Sequence, residues 1–478
     1  LKSVNENIKP LCVDLDGTII STDTLLESIL LAGKQKPYIF ILFPFWLMKG
    51  RAYLKKKISE HAIPDVSLLP YKENVLNFIK EEKSKGREIV LASATDKRIA
   101  DSVANHLGIF DKVIATDNNF NLRSRNKGNT LTELFGEKGF DYIGDSSADL
   151  AVWKKADCAL LVEPSDKLLN KVKSFSEQFI VFSSEKKNLK LFIKEIRVYQ
   201  WIKNILIFLP MLMAHRPEFN IIQNSILAFI AFSFTASFVY ILNDLLDLES
   251  DRQHPGKKKR PFASGRLPIH LGIISAPLFL IIGFGIGLLL LPVEFFWTLL
   301  IYLVLTTAYS FYLKKVIILD VIVLSCLYTI RLIAGANATG IEASPWLLGF
   351  SIFIFLSLAI MKRFTELGVM IEQNKSKTHG RGYRVEDISF LRNIGPASGY
   401  MSVLILALYV NSDKVISLYH TPQLLWLTLL CLLFWVSRIW LIAQRGKMLD
   451  DPILFIAKDY ISYIVGFVIT ILIVVATF

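Results

Sequence analysis

Apolar and polar positions alternate in two different ways along this chain. Up to about residue 162, short apolar runs at 11–13, 89–92, 113–115, 142–143 and 159–162 alternate with amphipathic stretches such as 75–85. Short buried runs separated by helical patterns predict a parallel sheet with helices on both faces. Beyond residue 195, apolar blocks recur to the end. A spanning helix needs ~20 predominantly apolar residues. Nine blocks qualify as candidates: 201–216, 221–243, 269–291, 294–312, 316–337, 346–364, 393–412, 423–443 and 458–478. The first is the most polar, because Lys203 and Asn204 lie within it. The pattern predicts an α/β domain at 1–165 with a helical insert at about 22–75. A charged connector at 166–195 follows, bearing Asp166, Lys167, Lys171, Lys173, Glu185, Lys186, Lys187 and Lys190. An all-α integral membrane domain at 196–478 completes the chain.

The formal charge of +12 raises nucleic acid as a partner, but its distribution points to membrane topology instead. With the N-terminal domain in the cytoplasm, the connections after even-numbered spans carry Arg252, Lys257, Lys258, Lys259, Arg260 and Arg266, then Lys314 and Lys315. Next come Lys362, Arg363, Lys375, Lys377, Arg381, Arg384 and Arg392, and finally Arg445, Lys447 and Lys458. The outward connections carry only Arg216 and Lys414. Excess cations in short cytoplasmic loops set orientation. The reading is therefore a multi-pass protein of the cytoplasmic membrane, with its C-terminus outside and no nucleic-acid partner. Cys12, Cys158, Cys326 and Cys431 show no metal-ligand spacing and no disulfide framework. No cleavable signal peptide is expected.

In the first domain, polar residues follow the apolar strands, where open parallel sheets bind ligands. Asp14-Leu15-Asp16-Gly17-Thr18 ends the first run. Ser93 ends the second, Lys127-Gly128 opens a helix, and Gly144-Asp145 with Asp149 follows a later strand. Two acidic pairs, Asp14 with Asp16 and Asp145 with Asp149, can surround one magnesium ion. A carboxylate beside a lysine can attack phosphorus, and a second carboxyl two residues away can protonate the leaving oxygen. This ordered set resembles the haloacid dehalogenase (HAD) superfamily of phosphatases over about 150 residues. The resemblance implies a Rossmann-like core with a small helical cap. It makes Asp14 the nucleophile, Asp16 the acid and base, Ser93 and Lys127 phosphate binders, and Asp145 with Asp149 magnesium ligands. The insert contains an apolar run at 38–48 flanked by Lys34, Lys36, Lys49, Arg51 and Lys55 to Lys57. It is too short to span. It reads either as a buried cap helix or as an element of the membrane interface.

In the second domain, Asn243-Asp244, Asp247 and Asp251 close the second span. On a continuous helix this spacing puts three carboxylates on one face. Such a cluster at a membrane span is costly unless it is paired or binds metal. Arg260-Pro261 and Ser264-Gly265 follow. The pattern resembles the UbiA superfamily of intramembrane prenyltransferases. The resemblance implies that Asp244, Asp247 and Asp251, supported by Asn243, hold magnesium on a diphosphate leaving group. After the sixth span, where aromatic prenyltransferases usually carry a second acidic cluster, this chain reads Lys362-Arg363-Phe364-Thr365-Glu366. With Lys203, Asn204, Tyr309, Lys314, Asp320, Tyr328, Arg331 and the Asp450-Asp451-Pro452 run, it looks like the branch that makes polyprenyl-phosphoryl 5-phosphoribose. The implied substrates are polyprenyl phosphate and phosphoribosyl diphosphate. Lys203, Arg260, Lys314, Arg331, Lys362 and Arg363 would then supply cations, with Mg2+ as cofactor. The implied setting is a bacterial inner membrane, with the catalytic faces cytoplasmic and self-association left open. A prenyltransferase acting on an aromatic or quinone-precursor acceptor, fused to an unrelated phosphatase, is the alternative expectation.

Overall fold

The computed structural model describes residues 9–117, 120–183, 189–372, 381–448 and 451–477. Glu185, Lys186, Lys187, Lys375, Lys377 and Asp450 lie outside them. The chain forms two compact units. One is Leu1–Ile196 with Tyr240–Ala276, and the other is Arg197–Val239 with Pro277–Phe478.

In the first unit, β1 (Leu11–Val13) precedes α1 (Thr24–Gln35), α2 (Ile39–Met48), α3 (Arg51–His61) and α4 (Glu73–Ser84). Then come β2 (Ile89–Asp96), α5 (Lys97–Leu107), β3 (Lys112–Thr116), α6 (Arg125–Phe135), β4 (Asp141–Gly144) and α7 (Leu150–Trp153). β5 (Ala159–Val162), α8 (Asp166–Lys173), β6 (Phe179–Phe182) and α9 (Leu189–Glu195) follow. The six strands are all parallel, in the order β3-β2-β1-β4-β5-β6. Period-two alternation divides the core between the two faces. Leu11, Val13, Ile89, Leu91 and Ile143 pack on one side, and Cys12, Val90, Ala92 and Tyr142 on the other. The stretch expected to be a charged connector instead supplies α8 and the edge strand β6, which pairs with β5. The backbone of the Phe179–Phe182 run completes the edge of the sheet beside β5, while Phe179, Ile180 and Val181 stay exposed.

The insert is helical. The Asp23 side chain accepts a hydrogen bond from the Leu26 amide and starts α1. α1, α2 and α3 share a small core of Ala32, Ile39, Leu54, Ile58 and Ala62.

The remaining helices are α10 (Leu209–Met213), α11 (Phe219–Leu246), α12 (Leu248–Gln253), α13 (Ile269–Leu289), α14 (Val293–Phe311), α15 (Leu319–Thr339) and α16 (Pro345–Glu372). α17 (Ile388–Val410), α18 (Asp413–Leu418), α19 (Leu425–Gln444), α20 (Pro452–Ile456) and α21 (Tyr460–Thr477) complete the chain. Among the described residues, eight helices are long and apolar enough to cross a bilayer: α11, α13, α14, α15, α16, α17, α19 and α21. The ninth expected span, 201–216, is not one long helix: a 3-10 segment, Val198–Phe208, leads into the short α10. Its polar residues are the reason. Asn204 is buried and donates from Nδ2 to Ser233 Oγ at 2.9 Å. The segment also lies tight against α15, where a Cβ on Gly335 would stand 2.0 Å from the Ile207 carbonyl oxygen. Small residues permit such backbone approach between membrane helices.

Candidate functional site

The strand order reverses between β1 and β4, so their carboxyl ends open a crevice there. Asp14 and Asp16 leave β1, and Asp145 leaves its neighbour β4. Gly17 (φ +74°) makes the turn possible, since a Cβ there would lie 2.2 Å from Asp145 Oδ2. Lys127 projects from α6 into the crevice. Its Nζ lies 2.9 Å from Asp14 Oδ1 and 3.7 Å from Asp149 Oδ1, and donates to Tyr142 Oη at 2.8 Å. Tyr142 in turn donates to Asp149 Oδ1 at 2.8 Å. The Ser146 amide and hydroxyl hold the other Asp149 oxygen, each at 3.1 Å.

Asp14, Asp145 and Asp149 each place an oxygen within 4.8 Å of the others. Burial, then the charges of Asp149 and Asp14, push the Asp145 carboxyl up to about 8. Burial raises Asp14 to about 6 against the opposing pull of Lys127. Three hard oxygen ligands that disfavour one another's charge form a donor set that suits magnesium.

Asp16 stands apart from this cluster. Its Oδ1 accepts from the Thr24 amide at 2.9 Å, and its Oδ2 accepts from the Thr95 hydroxyl. Burial, with the charge of Asp23, pushes it up to about 7, so it can hold a proton near neutrality. Ser93 is fully buried, and its hydroxyl accepts from the Thr95 amide at 3.1 Å. Thr95, rather than Ser93, lines the cleft of about 700 Å³ above the carboxylates. Lys55, Lys72 and Arg123 add cations to that cleft, and Gly265, Pro268 and His270 close part of its wall.

The acidic motif of the same unit is arranged less simply than its spacing implies. α11 ends at Leu246, and Asp247 breaks the helix before α12. Asp244 and Asp251 converge on Arg260, whose Nη1 lies 2.7 Å from Asp244 Oδ1 and 2.6 Å from Asp251 Oδ2. A guanidinium nitrogen thus occupies the kind of point a divalent cation needs, so these two carboxylates fit a metal. Asp247 turns away to Lys34 Nζ of α1, 2.7 Å distant. Burial raises the Asp251 carboxyl above its ordinary value, with Arg260 opposing. Asn243 lies one turn earlier, and its carbonyl accepts from the Asp247 amide at 2.9 Å. Arg252 grips Glu27 of α1 through both Nη atoms, at 2.8 and 2.6 Å.

In the other unit, residues far apart in sequence meet in two clusters. In the first, Lys203 Nζ bonds Asp451 Oδ2 at 3.0 Å and lies over the Tyr328 ring. Arg331 donates to Asn204 Oδ1 at 2.8 Å and is surrounded by the rings of Phe232, Tyr302 and Tyr328. This geometry holds Arg331 within the helical packing. In the second cluster, fully buried Asp320 accepts from Arg363 Nε and from Tyr383 Oη, both at 2.6 Å. Arg363 also reaches Glu366 at 2.7 Å and Tyr309 Oη at 3.0 Å. Half-buried Lys362 precedes it on α16, and Lys314 sits in the 3-10 turn between α14 and α15.

Sequence reasoning missed Thr24, Thr95, Tyr142, Glu27 and Tyr383. For Tyr142 a signal existed, because it is two residues before Gly144 in a strand and shares its face. Glu27 had none, since its partner is 225 positions away.

Known proteins give these features a context. The UbiA prenyltransferase family matches residues 204–457. An uncharacterized protein, y4nM, from Sinorhizobium fredii is 38% identical over 461 residues, covering 96% of this chain and 89% of that one. Decaprenyl-phosphate phosphoribosyltransferase from Mycobacterium tuberculosis is 35% identical over 180 residues, 37% of this chain and 59% of that protein. A substrate-bound phosphoserine phosphatase structure covers 39% of this chain and 97% of its own, with a TM-score of 0.27 and 19% identity. The chain belongs to the UbiA prenyltransferase family, and an α/β domain with a six-stranded parallel sheet precedes the matched region.

Proposed function

We propose that the chain is a bifunctional enzyme acting on a lipid phosphate. The membrane segment transfers 5-phosphoribosyl from phosphoribosyl diphosphate to polyprenyl phosphate. The α/β domain then removes the 5-phosphate, leaving polyprenyl-phosphoryl ribose. One observation carries this reading: a UbiA-family chain with a stretch similar to a phosphoribosyltransferase also contains a centre suited to phosphomonoester hydrolysis. Phosphoribosyl transfer leaves such an ester on its product. Two centres in one chain raise the effective concentration of the intermediate.

In the transfer, a phosphate oxygen of the lipid attacks ribose C1 as the C1–O bond to diphosphate breaks. Asp244, Asp247 and Asp251, supported by Asn243, would hold magnesium at the diphosphate end, and Arg260 adds a cation there. Lys203, Lys314, Lys362 and Arg363 offset the remaining phosphate charge. Asn204, Tyr309, Asp320, Arg331 and Glu366 position these cations. In the hydrolysis, an Asp14 oxygen attacks phosphorus and the ribose C5 oxygen leaves with the Asp16 proton. Asp16 then takes a proton from water, which releases inorganic phosphate from Asp14. Lys127 and the turn from Ser93 to Thr95 hold the phosphoryl oxygens. Magnesium, held by Asp14, Asp145 and Asp149 in one centre and by the Asp244 group in the other, would supply positive charge opposite the phosphoryl and diphosphate oxygens.

The cation distribution supports an orientation with both centres cytoplasmic and the C-terminus outside. The test supplies polyprenyl phosphate, phosphoribosyl diphosphate and magnesium to wild type and to Asp14→Asn, with lipid products read by mass spectrometry. Wild type should yield polyprenyl-phosphoryl ribose, and the variant should accumulate its 5-phosphate. Consumption of a prenyl diphosphate with an aromatic acceptor, and no ribosylated lipid from either protein, would overturn the reading.

A further inference from the structure

The helix α2 is not explained by either reaction. Its ten residues, Ile39–Met48, are all apolar or proline, yet only Ile39 is buried. Phe40 is 50% exposed, Ile41 71%, Phe45 62% and Met48 85%. A water-facing helix with this surface would forfeit burial worth ~25 cal/mol per Å². We infer that α2 lies in the lipid interface and fastens the cap of the phosphatase domain to the bilayer, so that the cap works against lipid-borne substrate. The second clause rests on the function proposed above, whereas the insertion itself does not.

Three observations select a bilayer over another covering. The first is position. Lys34 Nζ, near the end of α1, donates to the Leu246 carbonyl at 2.9 Å, the last residue of the spanning helix α11. That carbonyl lies just past Asn243 and Asp244, the polar end of an otherwise apolar helix, and α2 begins five residues beyond Lys34. Five extended residues reach at most ~17 Å. The second is length. Ten helical residues extend ~15 Å, about half the ~30 Å apolar core, so α2 can lie in the interface but not cross. The third is charge. Lys36 precedes the helix and Lys49 and Arg51 follow it, placing cations at both ends, where anionic headgroups would meet them.

The experiment uses the full chain in nanodiscs of phosphatidylcholine and phosphatidylglycerol. An environment-sensitive fluorophore is attached through Met48→Cys, with Lys80→Cys on exposed α4 as the water-facing control and labelled wild type as the blank for native thiols. The Met48 position should show blue-shifted emission that is quenched by acyl chains carrying a shallow nitroxide, while the Lys80 position shows neither. Water-like emission at Met48 without quenching would overturn the inference. So would a blue shift that is insensitive to lipid nitroxides and disappears on dilution, because a second copy would then cover the helix. The paired change Ile41→Asp with Phe45→Asp should abolish the activity toward polyprenyl-phosphoryl 5-phosphoribose but spare p-nitrophenyl phosphate. Quenching with no turnover of any lipid phosphate by wild type would leave the insertion standing and refute the function proposed above.

Discussion

At the residue scale, the carboxylate centre of the α/β domain is governed by crowded negative charge. Asp14, Asp16 and Asp145 are raised to about 6, 7 and 8. Each folded value exceeds the unfolded one, so the native state holds more protons than the unfolded chain between the ordinary carboxylate range and about pH 8. Stability of the metal-free protein should therefore fall as pH rises through that window. Thermal melting in chelator at pH 5, 6.5 and 8 should show this decline. Added magnesium should reduce it by favouring the charged carboxylates. Lys127 opposes the same crowding. Its own burial disfavours the cation, but Asp14 and Asp149 overbalance that and hold its pKa above the usual lysine value. Lys127→Ala should lower kcat toward p-nitrophenyl phosphate by roughly 10²–10³, the scale for losing one preorganised electrostatic partner. The motifs around these residues were legible because each occupies a few consecutive positions at a strand end. The placement of Thr95, rather than Ser93, on the cleft wall was not, because it depends on the register shift between β2 and β3 after Ser93.

At the element scale, helical periodicity overstated the continuity of α11 through Asp251. A straight helix would align Asp244, Asp247 and Asp251. The break at Asp247 leaves two of them on Arg260 and sends the third to Lys34. α12 is then held to α1 by the Glu27–Arg252 pair, whose side chains are only 3% and 6% exposed. Removing one member of a buried pair typically costs ~3–5 kcal/mol. Glu27→Gln should therefore speed hydrogen exchange in Leu248–Gln253, and the charge swap Glu27→Arg with Arg252→Glu should restore part of the protection. In the other unit, Arg363→Met should lower the melting temperature more than the paired change Asp320→Asn with Arg363→Met. The single change strands buried Asp320 beside Tyr383, while the pair removes the uncompensated charge.

At the scale of the whole molecule, the orientation proposed from the distribution of cations is open to direct test. Maleimide labelling in sealed vesicles should reach Lys258→Cys from the side that carries the α/β domain and Asp413→Cys from the opposite side. Equal access from one side would refute the orientation. The α/β pattern, the run of apolar helices and the two acidic motifs could all be read without a structure, because each is written in neighbouring residues at a characteristic period. The form of the first apolar block, 201–216, could not. Hydropathy counts apolar side chains in 201–216 but cannot register that Asn204 and Lys203 have partners at Ser233 and Asp451, which hold the segment as a short 3-10 wedge. Nor could it foretell the pairing of Glu27 with Arg252 or of Asp320 with Arg363. A buried charge takes whichever opposite charge the folded backbone brings within reach, and that choice is made in space, across tens to hundreds of positions in the chain.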